Sequence, residues 1–77
     1  MDQPRPCTGT VREWRDEEGW GVLDFSELGE PCWVHFSVIH MDGFRHLSPG
    51  TEVTAWVEGA QQDGYRYRAV SVTPLAD

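Results

Sequence analysis

Lysine is absent from this chain. Its six basic residues are all arginine, at positions 5, 12, 15, 45, 66 and 68, and they face 13 acids, for a net charge of -7. That balance excludes a broad basic footprint and the long-range attraction such a footprint exerts on a polyanion. Long apolar runs are missing too, since none approaches the roughly 20 residues needed to span a bilayer as a helix. The stretch from Met1 to Pro6 has no apolar segment, so no secretory signal is expected and a cytoplasmic location is. Helical periodicity is also lacking: no window carries apolar residues at helical spacing over three turns with caps. Cysteine is scarce, with Cys7 and Cys32 alone, and two cysteines make no disulfide framework. In a reducing compartment both are expected as free thiols.

What is present is ordinary globular composition, 39% hydrophobic and 25% charged, which argues against disorder. With 77 residues the chain is expected to form a single domain over 1–77 with a small core. Short strand-like runs separated by turn clusters fill it. The first runs from Thr8 to Trp14 and ends in the charged turn Arg15-Asp16-Glu17-Glu18-Gly19. The second, Gly19 to Phe25, puts Trp20 and Val22 on one face and Gly21, Leu23 and Phe25 on the other. After a polar turn from Ser26 to Pro31, the third run, Cys32 to Phe36, sets Cys32, Val34 and Phe36 against Trp33 and His35.

Ser37-Val38-Ile39 is compatible with a short helical turn, and a long loop from His40 to Gly50 follows. The fourth run, Thr51 to Glu58, turns Val53, Ala55 and Val57 to one side and Thr54, Trp56 and Glu58 to the other. A turn from Gly59 to Gly64 leads to the fifth run, Tyr65 to Thr73, with Tyr67, Ala69 and Ser71 opposite Arg68, Val70 and Val72. Pro74 ends it. Five short strands without a helix predict an all-β, five-stranded antiparallel barrel, because an open sheet of this size would leave long exposed edges.

The second and third runs carry the chemistry. If the core takes Leu23, Phe25, Cys32, Val34 and Phe36, the opposite face shows Trp20, Trp33 and His35 to water. An exposed aromatic patch implies a partner. Every nucleobase has a π-face, so an aromatic platform with a few cations is a surface for single-stranded nucleic acid, worth about 1–3 kcal/mol per stacked base.

Gly9-Thr10-Val11-Arg12, Glu18-Gly19-Trp20-Gly21-Val22-Leu23, Trp33-Val34-His35-Phe36-Ser37, Gly43-Phe44-Arg45-His46-Leu47 and Pro49-Gly50 occur in an order and at a spacing similar to the cold-shock domain family. The resemblance covers about residues 8–73, leaving 1–7 as an N-terminal segment, and the Val-His-Phe-Ser element is its most specific part. It implies an oligonucleotide-binding fold, a Greek-key barrel of cold-shock type, and single-stranded RNA or DNA stacked on the face of the first three strands. On this chain the matching stacking positions are Trp20, Trp33, His35, Phe36 and Phe44. Arg12 stands where the family usually has lysine, and Arg66 is matched to a family basic residue near the last strand. The implied role is an RNA chaperone or a regulator of transcription or translation; apart from the resemblance, a monomer or weak dimer is expected.

Three positions depart from the pattern. Glu13 replaces an exposed tryptophan, Glu18 replaces a lysine, and Val22 replaces the second aromatic of its motif. Each removes a stack or sets a carboxylate against phosphate, which lowers the expected affinity and leaves the expected fold intact. Trp14, next to Glu13, is the candidate substitute stack; its other reading is a partly buried side chain. Phe36 alternates with the apolar face, so core packing and ligand contact both stay open.

The alternative reading keeps the barrel and turns it into a protein-interaction module, with Glu13, Glu18 and the net negative charge facing a basic partner and Trp56 at the contact. No cofactor is implied. His35, His40 and His46 with Cys7 and Cys32 match no metal-ligand spacing. No nucleophile and base stand in a recognisable pattern, so catalysis is not expected.

Overall fold

The computed structural model describes residues 5–41, 46–62 and 64–75. Five strands, β1 (Arg5–Arg15), β2 (Trp20–Asp24), β3 (Cys32–His35), β4 (Glu52–Gln62) and β5 (Tyr65–Pro74), close into a barrel in the order β1-β2-β3-β5-β4. All pairings are antiparallel except the short β3–β5 seam, which is parallel and joins Cys32 to Tyr67 and Trp33 to Arg68. The predicted five-stranded barrel is therefore what forms. The strands differ from their expected limits mainly by extension: β1 begins at Arg5, where Pro6 pairs with Trp56, and β4 runs on to Gln62.

One strand serves two neighbours. The first half of β1, from Arg5 to Thr10, pairs with β4, and the second half pairs with β2. Between them the register shifts, so that Val11 faces Leu23 but Glu13 faces Val22. Arg12 is the extra residue of a β-bulge, which bends the strand and sharpens its twist. Alternation restarts after it: Cys7 and Val11 point inward before the bulge, and Trp14 lies over the core after it. Gly50 N–H donates to Val11 O at 2.8 Å and Val11 N–H to Thr51 O at 3.0 Å, which tie the bend to the end of the long loop.

A second bulge corrects an expectation on β5. Trp56 pairs with Ser71 but Val57 pairs with Ala69, so Val70 is the extra residue. Simple alternation puts Val72 opposite Ala69; in the structure both are buried, and Ser71 lies outside. Leu23, Phe25, Cys32 and Val34, expected in the core, are buried there, joined by Val53, Val72, Ile39 and Leu47. Phe36 is the exception. β3 stops at His35, the chain turns into a 3-10 helix over Phe36–Val38, and the Phe36 ring leaves the core side to stand 41% exposed.

Gly9 is required by close approach rather than by conformation. A Cβ there would lie 2.1 Å from Asp24 O and 2.5 Å from the Phe25 ring. Gly9→Ala is expected to destabilise the barrel by about 1–3 kcal/mol through overpacking, read as a lower urea midpoint; an unchanged midpoint would show that β2 yields at no cost.

Both cysteines are free and buried. Burial holds the Cys32 thiol neutral up to about 12. An unfolded thiol ionises near 8.5, so the stability that Cys32 contributes is whole below that pH and drains away as pH climbs towards about 12. Denaturation midpoints measured between about pH 8 and about pH 10 should accordingly fall less steeply in Cys32→Ala than in the parent protein.

Candidate nucleic-acid interface

The outer face of β1, β2 and β3 holds a row of rings. Register sets Trp20 opposite His35 and Val22 opposite Trp33. Trp20 and Trp33 have centroids 6.4 Å apart with planes inclined by 25°, and Trp33 and His35 follow at 5.9 Å and 24°. Phe36 joins the end of the row, 4.6 Å from His35. The turn after β3 puts it there, and Gly19 makes room: its φ is 77°, and a Cβ would come within 2.9 Å of the Phe36 ring. Phe36 N–H donates to Gly19 O at 2.9 Å, so the turn between β1 and β2 and the turn after β3 are fixed together.

Val22 belongs to this face, as alternation predicts, yet it is only 1% exposed and stands outside the core cluster. It is a short residue between Glu13 and Trp33 in register, covered by larger neighbours. A small side chain here forms the floor beneath the rings. Trp33 turns its Nε1 inward, where it is buried without a hydrogen-bond partner among the described residues. What it offers outward is ring.

His35 is oriented by the residue two places on. Ser37 N–H donates to His35 Nδ1 at 3.2 Å, and Ser37 Oγ lies 2.8 Å from the same nitrogen. An Nδ1 that accepts a backbone N–H leaves the proton on Nε2. The imidazole therefore presents a donor away from its anchor. Beside it, a groove of about 480 Å³ opens between β3 and β5, where the parallel pairing ends, lined by Trp33, His35, Ser37, Arg68 and Val70.

The cations around the row are paired with carboxylates. Arg12 makes a two-pronged contact with Asp24 at 2.9 and 2.6 Å. Arg15 Nε bonds Glu13 at 3.1 Å, while its guanidinium carbon sits 5.1 Å over the Trp20 ring. Arg68, next to Trp33 in register, bonds Glu58 at 2.6 Å, and Arg66 lies 3.6 Å from Glu30 further along β5. The carboxylate of Glu18 accepts the Trp20 Nε1 proton at 2.7 Å. The ion pairs are all at the surface, where solvent and salt screening leave each of them weak, so a phosphate can displace the carboxylate at small cost.

Of the residues singled out from sequence, Trp20, Trp33, His35 and Phe36 come together in one row, with Arg12 at its β1 side and Arg66 beyond its β5 side. Trp14 does not join them. It pairs with Gly21 and packs against the core cluster, and a Cβ on Gly21 would strike its ring at 2.5 Å. The bulge at Arg12 is the reason, since it turns Glu13 outward and Trp14 inward. Phe44 lies outside the described residues. Sequence reading missed Arg15, hidden in an apparent turn, and Arg68, whose place beside Trp33 exists only once β3 and β5 pair.

With this geometry in view, similarity to known proteins becomes informative. Residues 7–75 match the family described as the 'Cold-shock' DNA-binding domain. The chain belongs to the cold-shock domain family. A cold shock-like protein CspA of Stigmatella aurantiaca is 40% identical over 64 residues, covering 78% of this chain and 94% of the relative. The major cold shock protein of Streptococcus pyogenes is 37% identical over 68 residues, covering 88% and 96%. The cold shock protein CapB of Pseudomonas syringae is 35% identical over 65 residues, covering 84% and 91%.

Two tryptophans on adjacent strands separate packing from presentation. Trp14→Ala is expected to lower stability by about 2–3 kcal/mol, less than the roughly 3–5 kcal/mol for a fully buried tryptophan because its side chain is half-buried. Trp20→Ala, half-buried but packed outside the core, is expected to cost less, about 1 kcal/mol for the loss of its ring stack. Paired urea titrations check both.

Proposed function

We propose that this cold-shock domain binds single-stranded RNA or DNA on the outer face of β1–β3, as a non-enzymatic RNA chaperone or regulator of transcription or translation. The observation that carries the reading is the continuous row Trp20, Trp33, His35 and Phe36, within 6.4 Å from ring to ring and outside the core. Bases stack on rings with little regard to identity. Phosphates exchange with the carboxylates that now hold Arg12, Arg15 and Arg68. Exchange of one anion for another releases few counterions, so stacking carries most of the affinity. The family relationship supports the same reading, since the matching family is described as DNA-binding.

A second reading, a docking surface for a basic protein, is favoured by Trp56, which is 46% exposed on β4, away from the row. It draws further support from the self-paired arginines and the net charge of -7.

Tryptophan fluorescence during titration with heptamers randomised in all four bases separates the two. Saturable quenching is expected, abolished or strongly weakened in Trp33→Ala. The slope of log affinity against log salt should be no steeper than about -1.4, two phosphates' worth at about 0.7 each for a single strand. Absence of quenching at low salt up to high micromolar oligonucleotide would sink the nucleic-acid reading and favour the protein partner.

A further inference from the structure

The two groups held against Trp20 are of opposite kind and occupy different parts of its ring. Arg15 lies over the face, its guanidinium carbon 5.1 Å from the centroid. Glu18 lies at the edge, taking the Nε1 proton at 2.7 Å. An indole N–H points outward in the ring plane, so this hydrogen bond keeps a carboxylate level with the rim of the platform. Glu13 grips Arg15 Nε at 3.1 Å and keeps the cation at this end of the row. A base that stacks on Trp20 takes the face Arg15 now covers. Displaced from that face, the guanidinium would move to the rim of the base on its Glu13 tether, and the Glu18 oxygen not held by the indole would turn up to the edge of the same base.

We propose that Arg15 and Glu18 make Trp20 a base-selective subsite that takes guanine in preference to the other bases. This rests on the single-stranded nucleic-acid reading and adds a preference that stacking alone does not supply. The Watson–Crick edge of guanine offers one acceptor, O6, followed by two donors, N1–H and the N2 amino group. A guanidinium beside a carboxylate offers a donor followed by two acceptors, the complement of that edge. The carboxylate has lone pairs to spare after accepting the indole proton. Thymine and uracil place two carbonyl oxygens around a single N–H, and at least one of those oxygens faces the carboxylate. Cytosine and adenine each offer one amino donor beside a ring nitrogen that accepts, so a carboxylate gains one bond and meets one lone pair. Sequence already marks Glu18 as a departure from the lysine usual in the family. On this geometry the change alters which base is accepted as well as how strongly the strand is held.

The test compares three heptamers by tryptophan quenching at low salt: heptathymidine, the same strand with one central deoxyguanosine, and the same with one central deoxyinosine, which lacks the N2 amino group. A single guanine in a thymidine background cannot form four-stranded structures and is free to slide onto the preferred ring. The guanine strand is expected to bind at least threefold more tightly than heptathymidine, and the inosine strand to fall between them. Glu18→Gln keeps an oxygen for the Trp20 Nε1 proton but presents an amide donor to the base, and it is expected to bring the guanine and thymidine strands to within threefold of each other. A preference below threefold in the parent protein, or one that persists in Glu18→Gln, overturns the proposal while leaving single-strand binding intact. If no heptamer quenches at all, both the subsite and the binding reading beneath it fall.

Discussion

The bulge at Arg12 is the constraint on which the rest of this barrel depends. A single strand must leave β4 and join β2, and it can do so only by bending. The extra residue supplies the bend and reverses the facing of everything after it. Glu13 and Arg15 are thereby delivered to the outer face beside Trp20, and Trp14 is delivered to the core. Had the strand alternated without interruption, the tryptophan would stand in the ring row and the carboxylate would be buried, at a desolvation cost no small barrel could bear. Backbone geometry at one position thus sets both the composition of the core and the chemistry of the surface.

On that surface the molecule balances its own charges. An acidic chain that presents a stacking face needs its few cations at the face and needs them not to be sequestered elsewhere. Short surface ion pairs do this. Arg12, Arg15 and Arg68 are each held near the rings by a carboxylate that costs little to displace. The pairs keep three long side chains from wandering, which lessens the ordering cost of contact with a ligand.

Much of this was legible in the sequence. The strands and the core follow from alternation in Leu23 and Phe25, in Cys32 and Val34, and in Val53, Ala55 and Val57. The ring row follows from Trp20, Trp33 and His35 falling on the opposite faces of the same strands. The misreadings share one cause. At Arg12 and at Val70 an inserted residue shifts the parity, and no residue type at either place announces it. Val72 is therefore read as lying opposite Ala69, and Trp14 is left with two readings, a stack or a partly buried side chain. Phe36 was ambiguous because a strand that ends one residue early is indistinguishable, in sequence, from one that continues. Arg15 and Arg68 were hidden for a different reason: their significance lies in which ring they neighbour, and neighbours across strands are set by register.

The parallel seam between β3 and β5 has a kinetic consequence. It consists of two residue pairs drawn from distant parts of the chain, whereas the β4–β5 and β1–β2 contacts can form by local hairpin closure. Loop-closure entropy delays such a contact, as it does the still more distant β1–β4 pairing, and with only two residue pairs the seam is early to open. Trp33 sits on that seam, at the centre of the ring row. A strand stacked across Trp33 would act as a latch on this short seam, slowing unfolding more than it speeds folding.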